Sequence, residues 1–180
     1  MKKLKLILCA ALAYIGLASQ SSAAGVNLYN AHEFNLDIFG TRAFANSDSD
    51  RLFYEDNWGG GLALSYFLTR YIGVGIDGQL LEASGDTVGT SSLNATFRLP
   101  LGDSGVAVYG LGGVGLIFNP DDLYNDHGED DDTLFTGHVG AGAEWRFTEG
   151  FGAFTDWRYK FNERGNSDYS ELRMGLRFVF

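Results

Sequence analysis

The chain has 180 residues, a formal net charge of −10, one cysteine and a mean hydropathy near zero. That acidity excludes a nucleic-acid binder, which needs a basic face. After the first two dozen residues, no apolar run approaches the ~20 residues of a membrane helix.

Residues 1–24 read as a secretory leader. Lys2, Lys3 and Lys5 form its basic start, and Leu6 to Leu17 form an apolar run too short to span as a helix. Cleavage after Ala23 or after Ala24 fits the small-x-small rule equally. Cys9 lies inside the leader and follows Leu8, which does not suit a lipoprotein anchor. The mature chain, 25–180, is then a single domain without cysteine, so disulfides and thiolate chemistry are excluded. Loss of three lysines takes the net charge from −10 to −13. Glycine is abundant and only Pro100 and Pro120 occur, which suits a strand-rich chain.

Eight runs of period-two alternation follow, near 34–44, 58–69, 71–82, 88–99, 106–118, 134–147, 151–161 and 169–180. Most reach the ~9–11 residues that carry a tilted strand across a bilayer. The second sets Trp58, Leu62, Leu64, Tyr66 and Leu68 against Gly59, Gly61, Ala63, Ser65 and Thr69. The fourth sets Leu93, Ala95, Phe97 and Leu99 against Ser92, Asn94, Thr96 and Arg98. In the fifth, Val106 and Val108 lie out of phase with Tyr109 and Leu111, which predicts a bulge or register change near Gly110–Gly113. The sixth sets Val139, Ala141, Ala143, Trp145 and Phe147 against His138, Gly140, Gly142, Glu144 and Arg146. The seventh sets Ala153, Thr155, Trp157, Tyr159 and Phe161 against Asp156, Arg158 and Lys160. The last alternates Leu172, Met174, Leu176, Phe178 and Phe180 with Glu171, Arg173 and Arg177.

These patterns predict an all-β fold: an eight-stranded antiparallel transmembrane barrel, greasy side outward. Connections 45–57 and 119–133 are long, whereas 69–71, 100–105 and 148–150 are short. Long outer loops and tight periplasmic turns follow if both termini are periplasmic. Aromatic residues near strand ends (Tyr66, Phe67, Tyr71, Trp145, Phe147, Phe151, Phe161, Phe178, Phe180) read as interfacial girdles. Asp37, Asp77, Arg98, Glu144, Arg146, Asp156, Arg158, Lys160, Glu171, Arg173 and Arg177 would face a lumen just wide enough to be filled by side chains, as a salt-bridge network. The alternative is a soluble lipocalin-like barrel or sandwich, with the aromatics inside.

At the C-terminus, Arg173, Gly175, Phe178 and Phe180 fill a polar-x-Gly-x-x-aromatic-x-aromatic pattern. It resembles the assembly signal read by the barrel-assembly machinery. Glu144-Trp145-Arg146-Phe147-Thr148-Glu149-Gly150 with Trp157-Arg158-Tyr159 resembles the penultimate hairpin of the same group. The chain is thus similar to the small bacterial outer-membrane β-barrel family of OmpA-like, OmpX-like and opacity-type surface antigens. The resemblance implies an outer-membrane location and surface loops, but not one activity. Members act in adhesion, serum resistance, envelope integrity or lipid A modification. No peptidoglycan-binding domain is expected after the barrel.

Two G-x-G-x-x-G matches, Gly73-Gly75-Gly78 and Gly110-Gly112-Gly115, lie inside strands with no helix following, so they read as room for bulky lumen neighbours. Loop 119–133 carries Asp121, Asp122, Asp126, Glu129, Asp130, Asp131 and Asp132 beside Tyr124 and His127. Asp126, Glu129, Asp130 and Asp132 are weak calcium candidates, since the EF-hand spacing fails at Tyr124. A solvated acidic loop, one bridged by divalent cations to lipopolysaccharide phosphates, or one that meets a basic partner are the competing readings. Leu52, Phe53 and Tyr54 in the first long loop form a contact patch or fold onto the rim. His138 with Glu144 on the same face is a minority catalytic pair. A lipid A deacylase of this architecture has a serine two residues after the histidine, where Gly140 stands. Ser65 and Ser92 face inward without a sequence link to His138. His32-Glu33 reads as turn residues before the first strand.

The resulting expectation is a monomeric, non-catalytic outer-membrane protein without cofactors. It would act structurally or in adhesion through loops 45–57 and 119–133, with outer-membrane lipid, lipopolysaccharide and an extracellular or host ligand as partners. A lipid A-modifying hydrolase using His138 is the alternative. A small-solute channel ranks below it, because open pores need more strands.

Overall fold

The computed structural model describes residues 28–45, 57–83, 86–118, 133–162 and 168–180. The leader, the acidic stretch 119–132 and Leu52-Phe53-Tyr54 lie outside the described residues. Eight strands run in chain order: β1 (Glu33–Ala45), β2 (Asn57–Phe67), β3 (Ile72–Ala83), β4 (Asp86–Pro100), β5 (Val106–Phe118), β6 (Thr133–Thr148), β7 (Phe151–Asn162) and β8 (Tyr169–Val179). Each pairs antiparallel with the next, and β1 pairs with β8 from Asn35↔Val179 to Ala45↔Tyr169, so the sheet closes into a barrel. Closure leaves no sheet edge, which is what lets strands cross hydrocarbon.

The two faces separate as the alternation requires. Trp58, Leu62, Leu93, Val139, Trp157 and Met174 stand exposed on the outer wall, while every charged side chain assigned to the lumen is buried. A one-residue slip anywhere would turn charges into lipid, so register is firmly held.

The fifth strand departs from expectation. β5 pairs without a register shift on both sides, through Gly110–Gly113 included. Val108 is 40% exposed and Tyr109 6%: the alternation is intact, and apolar residues occupy both faces. The lumen beside this strand takes an aromatic hydroxyl and aliphatic side chains, so the contrast between faces disappears without any bulge. The irregularity lies instead between Arg146 and Thr148, where β6 meets β7.

Two other expectations are corrected. Phe67 belongs to no girdle: it points inward and is buried. Glu33 is not a turn residue but the first of β1, buried beneath two guanidinium groups, whereas His32 stays exposed. Both glycine motifs lie within strands. Their inward members leave the room expected: a Cβ on Gly73 would meet the Phe67 ring at 2.9 Å, and one on Gly115 the Ser92 hydroxyl at 2.8 Å.

On the terminus side the strands join through 68–71, 101–105 and 149–150. Gly102 and Gly105, at φ of 61° and 70°, let the 101–105 turn close, and Leu101 N donates to Val106 O at 2.8 Å.

Candidate functional site: a sealed, charge-balanced lumen

The interior divides into layers. Nearest the termini, Arg98 and Arg146 converge on Glu33: Arg98 Nη2 donates to Glu33 Oε2 at 2.8 Å and Arg146 Nη2 to the same oxygen at 3.0 Å. Arg98 also reaches Glu144 at 3.3 Å, and Arg177 joins Glu144 to Asp37, which it grips with two bonds of 2.8 and 2.7 Å. Arg98 lies over the Phe67 ring at 3.8 Å and the Tyr29 ring at 4.8 Å, and Arg146 lies over Tyr29 at 4.4 Å. Tyr29, ahead of β1, thus closes the floor, its hydroxyl donating to Gly105 O at 2.7 Å. Burial pushes this phenol up to about 12, against the opposing pull of Arg146 and Arg98.

The middle layer centres on Asp156. It accepts two bonds from Arg173 at 2.9 Å, one from Arg158 at 3.1 Å and one from the Tyr109 hydroxyl at 3.0 Å. Arg158 also donates to Asp77 at 2.9 Å, and Asn94 Nδ2 donates to the same carboxylate at 2.7 Å. Above it, Thr41 donates to Gln79 and Gln79 to Glu171, which pairs with Lys160 at 3.3 Å. At the loop-side mouth the charges stop. Ala43, Leu81, Val88, Ile117, Leu134 and Tyr169 pack into an apolar cap.

Among the described residues, six buried carboxylates (Glu33, Asp37, Asp77, Glu144, Asp156, Glu171) face six buried cations (Arg98, Arg146, Arg158, Lys160, Arg173, Arg177). The lumen wall is therefore neutral, and the net charge of −10 belongs to the rest of the chain. Such pairs hold only because nearly every charge has a hydrogen-bonded partner, since desolvating an unpaired one costs several kcal/mol.

The catalytic candidates do not come together. His138 Nε2 bonds Asn94 Oδ1 at 2.7 Å, in the middle layer, while Glu144 is held by Arg98, Arg146 and Arg177 in the floor. Within the C-terminal pattern, Arg173 and Gly175 face the lumen. A Cβ on Gly175 would meet Phe39 Cβ at 2.8 Å and the Phe154 ring at 2.9 Å. Phe178 packs on Phe151 at 5.4 Å between ring centroids, and Phe180 is 74% exposed at the wall's end. Asp126, Glu129, Asp130, Asp132, Tyr124 and the Leu52–Tyr54 patch lie outside the described residues. Sequence reasoning missed Tyr29, Glu33, Gln79 and the Tyr109 hydroxyl. Only Glu33 carried a signal, an acid two residues from the inward Asn35 and four from Asp37.

No curated protein matches this sequence. Among solved structures, the N-terminal β-barrel domain of Pseudomonas aeruginosa OprF aligns with a TM-score of 0.62 at 19% identity, covering 84% of this chain and 99% of that one. Neisserial surface protein A aligns at 0.59 and 15% identity, over 82% and 96%. The Yersinia pestis attachment invasion locus protein, Ail, aligns at 0.54 and 16%, over 83% and 99%. The family described as outer membrane protein beta-barrel domain matches residues 9–180. With its closed eight-stranded wall, apolar outside and charged within, the chain belongs to that family and is an outer-membrane β-barrel protein.

Proposed function

We propose that this barrel is a non-catalytic envelope protein whose working surface is the loop end, with both termini periplasmic. The acidic connections 45–57 and 119–133 would meet an extracellular ligand or, through divalent cations, lipopolysaccharide. One observation carries the reading: the lumen is neutral, ion-paired and closed at both mouths, which leaves the acidic excess outside the wall as the chemistry on offer. The non-catalytic reading is supported by His138, whose partner is an asparagine within a packed network, and by Gly140, which stands where a nucleophile would be needed. In the same reading the machinery that folds outer-membrane barrels recognises Phe178 and Phe180, the outward members of the C-terminal pattern.

The test deletes residues 121–132 across a short Gly-Ser turn and compares mutant and parent on cells. Both should shift on heating in a denaturing gel, and only the mutant should lose surface adhesion. Equal adhesion by two heat-shifting proteins would remove the acidic loop from its role.

A further inference from the structure

Each of the five buried arginines of the lumen donates hydrogen bonds to a carboxylate, but the one buried lysine does not. Lys160 Nζ has no hydrogen-bond partner among the described residues, and Glu171 Oε2 stands 3.3 Å away. The same oxygen accepts a bond from Gln79 Nε2 at 2.7 Å, so a primary amine and a carboxamide meet on one carboxylate. A carboxylate only accepts, which fixes the orientation of the amide. Gln79 Oε1 points the other way and accepts from the Thr41 hydroxyl at 2.9 Å. Thr41, Gln79, Lys160 and Glu171 are all buried. Ala43, Leu81 and Tyr169 of the apolar cap are the next inward residues along β1, β3 and β8, so the group lies against a dry wall. The centre of the Tyr169 ring is 5.6 Å from Lys160 Nζ.

These four groups supply what acyl transfer to an amine requires. A proton passed from the Lys160 ammonium to Glu171 frees the lone pair of the amine. The Thr41 hydroxyl meets Gln79 Oε1, the oxygen on which negative charge develops. Amine and amide held in one place react as one molecule rather than two. We propose that Lys160 Nζ attacks Gln79 Cδ to form an intramolecular isopeptide bond, with Glu171 as the acid–base catalyst and ammonia as the leaving group. The Nζ–Cδ bond forms and the Cδ–Nε2 bond breaks. Of the three protons of the ammonium, one stays on the new amide, one leaves with the ammonia and one stays on Glu171. Nothing is oxidised or reduced, and the lumen wall remains neutral. Strands β3 and β7 stand halfway round the closed barrel from one another. The bond therefore spans the lumen just beneath the apolar cap and ties two opposite walls together.

The test is mass spectrometry of the full mature barrel purified from outer membranes, its fold checked by the heat shift on a gel. After denaturation and trypsin, residues 71–98 and 159–164 should appear as one branched peptide, lighter than its two parts by one ammonia. Lys160→Arg and Glu171→Gln should each abolish the branch in a barrel that still shifts on heating. A folded parent that yields the two peptides separately overturns the proposal. So does a loss of one water with Lys160 joined to Glu171, which would make the carboxylate the acyl group instead of the catalyst. A branch that survives in a folded Glu171→Gln barrel overturns the catalytic role. Should either variant fail to fold, the parent decides alone: fragment ions that place the link between Gln79 and Lys160 support the bond, and an unmodified Lys160 overturns it.

Discussion

Asp156→Asn removes one negative charge from the middle of the lumen and almost no volume. The carboxylate holds four hydrogen bonds, two from Arg173, one from Arg158 and one from Tyr109. Charge-assisted bonds are each worth about 1.5–3 kcal/mol net, but the sum overshoots, because the amide keeps one acceptor and both arginines keep Asp77. Removing one partner of a buried pair costs about 3–5 kcal/mol, and that is the loss expected here. Urea unfolding from lipid vesicles, followed by tryptophan fluorescence, gives the midpoint and slope, and an unchanged slope makes the midpoint shift a stability change. Adding Arg173→Met should recover at least ~1 kcal/mol relative to additivity, since the stranded cation is then removed as well. A cost below ~1 kcal/mol with unchanged slope would refute the reasoning: the lumen would be open to bulk water, and the ion pairs screened like surface ones.

Leu93→Arg, at mid-length of β4 on the outer wall, should cost about 2–4 kcal/mol in the same titration; no cost would mean that this face is not in hydrocarbon. Because burial holds the Tyr29 phenol neutral up to about 12, the unfolded chain ionises first, near pH 10. Stability should be complete below pH 10 and fall between pH 10 and 12, by at most about 1.4 kcal/mol per unit from this group. Tyr29→Phe should flatten that alkaline fall while losing the bond to Gly105, and an unchanged pH slope would sink the assignment.

Most of the wall could be read from the alternation because lipid and lumen demand opposite chemistry at successive residues. Leu93 against Asn94 or Trp157 against Arg158 leaves no choice of face. The reading failed where that contrast fades. Tyr109, Leu111 and Ile117 are apolar residues with lumen positions, so β5 looked broken when it is regular. Phe67 failed for the same reason: an aromatic at a strand end fits a girdle, yet this ring supports Arg98 from inside. The partners within the network were not legible either. Asp77 bonds Arg158, 81 positions away, and that pairing depends on how the closed barrel staggers its strands. Likewise, nothing in the sequence shows that Glu144 belongs with three arginines of the floor rather than with His138. The acidic loops carry the proposed function, and barrel physics constrains their chemistry least.

The seam between β1 and β8 sets the manner in which such a protein comes into being. Its pairs join Asn35 to Val179 and Ala45 to Tyr169, and beyond the strand end Phe34 and Phe180 exchange backbone bonds. Until those two strands meet, each presents a row of bare amides and carbonyls, and in hydrocarbon every unmet group costs several kcal/mol. A seven-eighths barrel is consequently not a slightly weaker barrel but a species that lipid rejects. The lumen obeys the same rule, since Asp37 finds Arg177 only across that seam. Insertion and closure must therefore finish together, and an agent that helps this chain into a membrane does its useful work by sheltering those two edges until they find one another.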